Sequence, residues 1–242
     1  MKKLRNVISV IKLMICVILL LFIPLPRLAL EIVFGIELLL GILLYVYSKN
    51  TFVENTQRRI LNLVLIYNLM ILSVSISIVR FCLISKEFPI RYISILYSLN
   101  TSFSVLCIIF SLCFFVASTF FIQKWRKKLM AKCDIFLEKQ SENSDKGDID
   151  FYSEVEGMSE FLVGNFIFSI LNLSCVIIAG AFFNITMSGE TFFNAIIYSI
   201  KHGVMFIFVA FLPLLLSAKV LVENLKQFEQ KKMVDKISDR GR

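Results

Sequence analysis

The chain has 242 residues, of which 57% are hydrophobic and 18% charged, a balance too apolar for an ordinary soluble domain. Its charges are segregated, so that stretches of about twenty residues carry none or one, as a hydrocarbon core about 30 Å thick demands. The net charge of +8 is distributed as membrane topology requires, which argues against nucleic acid as a partner and for anionic lipid.

Six apolar blocks are read, over residues 7–25, 28–48, 60–84, 93–122, 162–184 and 191–222. The first lacks a small-residue cleavage pattern, and Pro24-Leu25-Pro26 leads straight into the second, so it is not read as a cleaved signal peptide. The prediction is an all-α, polytopic membrane protein. It has a four-helix part over 1–123, a cytoplasmic loop over 124–161, a membrane hairpin over 162–222 and a basic cytoplasmic tail over 223–242. Lys2, Lys3 and Arg5 precede the first block, and Lys49, Arg58 and Arg59 follow the second. Two clusters, from Lys124 to Lys146 and from Lys219 to Arg242, follow the fourth and sixth, whereas only Arg27, Lys86 and Arg91 fall on the opposite side. The positive-inside rule then makes both termini and the 124–161 loop cytoplasmic.

In chain order, the first two blocks form a hairpin turning at Pro24-Leu25-Pro26-Arg27, where proline ends the incoming helix. The second block contains Glu31 and Glu37, the only carboxylates inside any apolar block. A charge near the bilayer centre costs about 2.5–3.5 kcal/mol on insertion scales, so Glu37 should face a bundle interior or a water path. Two roles are open to it: a proton carrier or a hydrogen-bonded structural group. Arg80, near the outer end of the third block, either pairs with Glu31 or snorkels to the interface. The fourth block ends at Lys124-Trp125-Arg126-Lys127-Lys128, an interfacial anchor. Lys124 to Lys139 is predicted to be a basic amphipathic helix lying on the membrane surface, followed by a polar, flexible centre over 140–148.

The fifth block is entered through Phe151-Tyr152 and the run Glu156-Gly157-Met158-Ser159-Glu160-Phe161-Leu162-Val163-Gly164-Asn165, and carries the small pair Ala179-Gly180, which permits close helix approach. The sixth holds Lys201-His202-Gly203 and Leu212-Pro213-Leu214-Leu215-Leu216-Ser217, and its Gly and Pro predict a broken or re-entrant helix. Lys201 and His202 are further candidates for a proton path, either with a partner such as Glu37 or lining a polar cavity without titrating. Six cysteines without CxxC spacing and a lone histidine offer no zinc constellation, and the cysteines read as apolar packing residues. There is no nucleophile–base set and no phosphate-binding glycine loop, so no enzyme and no cofactor are expected.

Four segments, in order, resemble the export-gate family of flagellar and virulence type III secretion systems (the FHIPEP family). That family has F-Y-x-x-M-D-G-x-S-x-F-x-x-G-D where this chain has Phe151, Tyr152, Gly157, Ser159, Phe161 and Gly164, with Glu156 and Asn165 in place of its two Asp residues. After its P-L-P it carries an Asp and an Asn where Glu31 and Glu37 stand here. Its third helix ends on an Arg matched by Arg80, and its I-P-A-L-L-L-S is matched around Pro213. Met187-Ser188-Gly189-Glu190 is also similar to the family. The family's P-G-K-Q-M-A-I-D run and its large C-terminal cytoplasmic domain have no counterpart in these residues. The resemblance implies a bacterial inner-membrane, multi-pass component of a protein-export apparatus, assembled as a ring with other export-apparatus subunits and coupled to proton-motive force. Two other classes compete with it: a small proton-coupled transporter or channel subunit, and a structural membrane protein.

Overall fold

The computed structural model describes residues 25–50, 54–85, 87–98, 101–138 and 146–240. The described residues form six helices and no strand: α1 (Arg27–Asn50), α2 (Glu54–Ile84), α3 (Arg91–Ser98), α4 (Thr101–Glu138), α5 (Lys146–Thr186) and α6 (Phe192–Arg240). All but the short α3 contain a segment long and apolar enough to cross a membrane. The chain is a polytopic helical membrane protein. The first apolar block, 7–25, lies outside the described residues except for Leu25.

The α1 stripe Leu30, Phe34, Glu37, Gly41 and Ser48 is buried, at the three-to-four-residue spacing of one helix face. Leu28, Ile32, Leu39 and Leu43 on its other side are exposed, which in a bilayer means turned to lipid. Pro26 sets the start of α1, its carbonyl accepting the Leu30 N–H at 3.1 Å. At the same end of the bundle, α5 closes on Gly189, whose φ of +64° suits a residue without Cβ. There the Glu190 N–H reaches back to the Asn184 carbonyl at 3.2 Å, a six-residue closure of the helix C-terminus.

Helix α6 is the axis of the bundle and packs against α1, α2, α4 and α5. It is buried on most sides, with Phe206, Ala210, Phe211, Leu214 and Ala218 fully enclosed. The α5–α6 hairpin is tight: a Cβ on Gly180 would lie 3.1 Å from Ser199 Oγ, and one on Gly203 would lie 2.7 Å from Ile177. The small pair at 179–180 thus acts as its sequence suggests.

Four expectations are corrected. The block at 191–222 is neither broken nor re-entrant: α6 runs unbroken through Pro213, which is buried among neighbouring helices that hold the axis in place. The segment 124–161 is mostly helical: α4 continues to Glu138 and α5 begins at Lys146. The basic stretch after Lys124 does not lie as a separate helix on the membrane. Its apolar side, Leu129 and Cys133, is buried with Phe151, Val155, Leu221, Leu225 and Phe228 in a second core beyond the main one, so protein rather than lipid covers that face. The block at 93–122 is divided between α3 and the first part of α4.

Candidate functional site

Two polar arrangements of the interior bear on the residues that the sequence singles out. In the first, Asn68 of α2 is wholly buried. Its amide donates to Ser217 Oγ of α6 at 2.7 Å and to the Val64 carbonyl at 2.9 Å. Asn165 of α5 in turn donates to the Asn68 carbonyl at 2.9 Å and approaches its Oδ1 at 3.4 Å. Three helices are therefore joined at one level by side-chain amides, the kind of bond that steers helix association in lipid.

The second lies one residue along α2. Tyr67 is 2% exposed and Glu37 of α1 1%. A Cβ on Gly41, one turn along α1 from Glu37, would meet the Tyr67 hydroxyl, lie 2.9 Å from its Cζ and come 3.0 Å from Leu216 of α6. The glycine is what lets the tyrosine ring lie between α1 and α6. Both Glu37 oxygens and the Tyr67 hydroxyl are buried, and among the described residues none of the three atoms has a hydrogen-bond partner. A carboxyl enclosed in this way is where a membrane protein can take up and release a proton, and buried polar atoms of this kind also mark places for ordered water.

The remaining candidates do not join this pair. His202 is buried farther toward the end where α2 stops, its ring 6.1 Å from that of Phe88 just beyond α2. It precedes Leu216 by fourteen residues, whereas Glu37 precedes Gly41 by only one turn, so the two groups differ by about 15 Å along the axis. Lys201 is exposed, since adjacent residues of a helix point in different directions. Neither is a partner of Glu37. Glu31 is engaged at the start of α3, where its carboxylate accepts the Arg91 backbone N–H, and Arg27 pairs with Glu87. Arg80 is half-buried near the end of α2. At the outer rim, burial and then the Glu31 and Glu37 carboxylates raise the Tyr92 phenol above its ordinary range.

The segment 151–165 is an interior helix segment rather than an entry loop. Phe151 stacks on Phe228 at 3.9 Å and Tyr152 on Phe136 at 4.0 Å. Val155, Met158, Ser159, Leu162 and Asn165 continue the buried stripe, with Phe161 and Glu156 half-buried and Gly157 and Gly164 exposed. No Cβ at Gly157 or Gly164 would meet anything within 4 Å, so these two glycines are not required by packing within the chain. Lys232 of α6 closes the group, paired with Asp148 and 4.7 Å above the Phe136 ring.

No family model, curated protein or solved structure matches this chain. Among the described residues, no cluster of three His, Cys, Asp or Glu side chains is placed to hold a metal ion. Asn68, Tyr67, Gly41 and Lys232 are additions to the residues that the sequence singles out. The only signal for the first two was a Tyr-Asn pair interrupting an apolar block.

Proposed function

We propose that the chain is a membrane component of a flagellar or virulence-type type III protein-export apparatus in a bacterial inner membrane, contributing to an export gate coupled to proton-motive force. The observation that carries this reading is the meeting of Asn165 and Ser217 over Asn68. Asn165 ends the segment that begins at Phe151, and Ser217 ends the segment around Pro213, so two separately matched stretches contribute to one interior layer. Glu37, from a third matched stretch, is buried one turn from Gly41, which packs on the tyrosine beside Asn68. In this reading Glu37 carries the proton, Tyr67 and ordered water relay it, and the amide layer holds α2, α5 and α6 in register. The exposed Lys127 and Lys128 contact anionic lipid, and further copies and other export subunits complete the gate.

Replacing Glu37→Gln keeps shape and removes the titrating group. Secretion of export substrates should fall at least tenfold with the protein still at its normal level in the membrane; unchanged secretion would remove Glu37 from the mechanism. A second reading, a small proton-coupled transporter acting alone, draws on the same enclosed Glu37–Tyr67 pair lying within a single chain. Proton uptake by the purified protein in liposomes, abolished by Glu37→Gln, would favour it.

A further inference from the structure

Helices α1 and α4 both pack on α6 and stand apart from one another. Between them, under α3, lies a crevice of about 380 Å³ lined by Phe34 and Leu38 of α1, Tyr92 and Ile93 of α3, Cys107 and Phe110 of α4, and Phe208 and Leu212 of α6. Its inner wall is closed, with Phe34 at 2% and Ile93 at 8% exposure, while Phe110 at 64% and Tyr92 at 47% stand at an open mouth. We propose that this crevice binds the end of one phospholipid acyl chain, entering from the lipid between α1 and α4 at the level of the outer leaflet.

Three observations select that occupant. The lining is apolar, with the Tyr92 phenol and the Cys107 thiol as its polar groups, so water gains nothing by entering. Left empty, the space would deprive its lining of contacts in an otherwise close-packed interior. Its size lies at the small end of ordinary ligand sites, about 300–1,000 Å³. A helix about 10–12 Å across does not fit, whereas a slender hydrocarbon chain does. The rim supplies a place for the headgroup. Arg91 is exposed beside Tyr92, and the nearby carboxylates are already engaged, Glu31 by the Arg91 backbone N–H and Glu87 by Arg27. A lipid phosphate at the Arg91 side chain therefore places its tail over the mouth.

The protein, purified in mild detergent with added phosphatidylglycerol, is weighed intact by native mass spectrometry. One retained phospholipid per chain is expected. Cys107→Trp, which fills the crevice, should lower the retained fraction at least fivefold. Cys113→Trp, on the exposed side of the same helix, should leave it unchanged. Equal retention in the two variants, or none in the parent, would overturn the proposal. Should Cys107→Trp fail to fold, a phosphatidylglycerol with a photoreactive acyl end is cross-linked to the unaltered protein. Adducts at Phe110, Cys107 or Phe208 support the site, and adducts spread evenly along Val116–Phe121 overturn it. Oxidative cross-linking of Cys16 to Cys107 would also overturn it, by placing the chain's own first apolar block in the crevice.

Discussion

At the scale of single residues, the interior depends on one glycine and one asparagine. Gly41 admits the Tyr67 ring between α1 and α6, so Gly41→Ala forces the new methyl against the ring's Cζ and hydroxyl. Overpacking of this kind costs about 1–3 kcal/mol, to be read as a lower unfolding midpoint in detergent. Tyr67→Phe in the same chain should recover part of the loss; no loss at all would mean that the ring lies elsewhere. Asn68→Ala breaks the bond to Ser217 and the longer contact with Asn165, whose 2.9 Å bond to the residue 68 backbone carbonyl survives, and about 0.6–2 kcal/mol of destabilisation is expected from the range for such bonds in lipid. A change below a few tenths of a kcal/mol would show that the three helices do not meet there. The raised phenol of Tyr92 gives a pH signature. Its proton is held more tightly in the folded than in the unfolded chain, so its contribution is complete below the ordinary value of about 10. It is lost as pH rises through the folded value. Tyr92→Phe should therefore flatten the fall in unfolding midpoint above pH 10, and an unaltered alkaline curve would contradict that. Glu37 was visible in the sequence because a carboxylate in an apolar block is conspicuous and sits on the stripe of Leu30, Phe34 and Gly41. Asn68 was not, since its partners are 149 and 97 residues away and local spacing carries no trace of them.

At the scale of elements, helices outrun the membrane on one side. The ends of α4 and α6 and the start of α5 continue as a packed bundle in which Lys132 pairs with Glu229 and Lys232 with Asp148. Lys232 also lies over the Phe136, Phe228 and Tyr152 rings at 4.7, 5.2 and 5.8 Å. A partly desolvated cation–π contact is worth about 1–2 kcal/mol. Lys232→Ala should therefore raise hydrogen exchange in α6 beyond Leu225 while leaving the segment around Phe211 protected. Uniform exchange along α6 in both proteins would contradict the clasp. The charges after Trp125, taken alone, predict a loop and a surface helix. Leu129, Cys133, Phe151, Val155 and Phe228 instead bury one another across three helices, a long-range pairing that hydropathy alone does not reveal. Likewise Pro213 reads as a breaker in isolation, whereas an axis helix enclosed by four neighbours carries it without interruption.

At the scale of the whole molecule, α6 organises the fold: α1 and α4 pack on it in the same direction and α2 and α5 in the opposite one. The basic clusters after Trp125 and after Ala218 fall at one end, as the positive-inside rule places them. The all-helical membrane fold was legible from block length and charge segregation because the bilayer imposes both. The site was legible only where polar residues intrude on apolar blocks, and the expected union of Glu37 with His202 failed because position along an axis is invisible without the helix register. The export role proposed for this bundle is tested most directly by isolation of the tagged protein from its native membrane in mild detergent, with every co-purifying chain identified. The account predicts recovery of other export-apparatus subunits in fixed proportion. Self-associated protein without any secretion partner would contradict it.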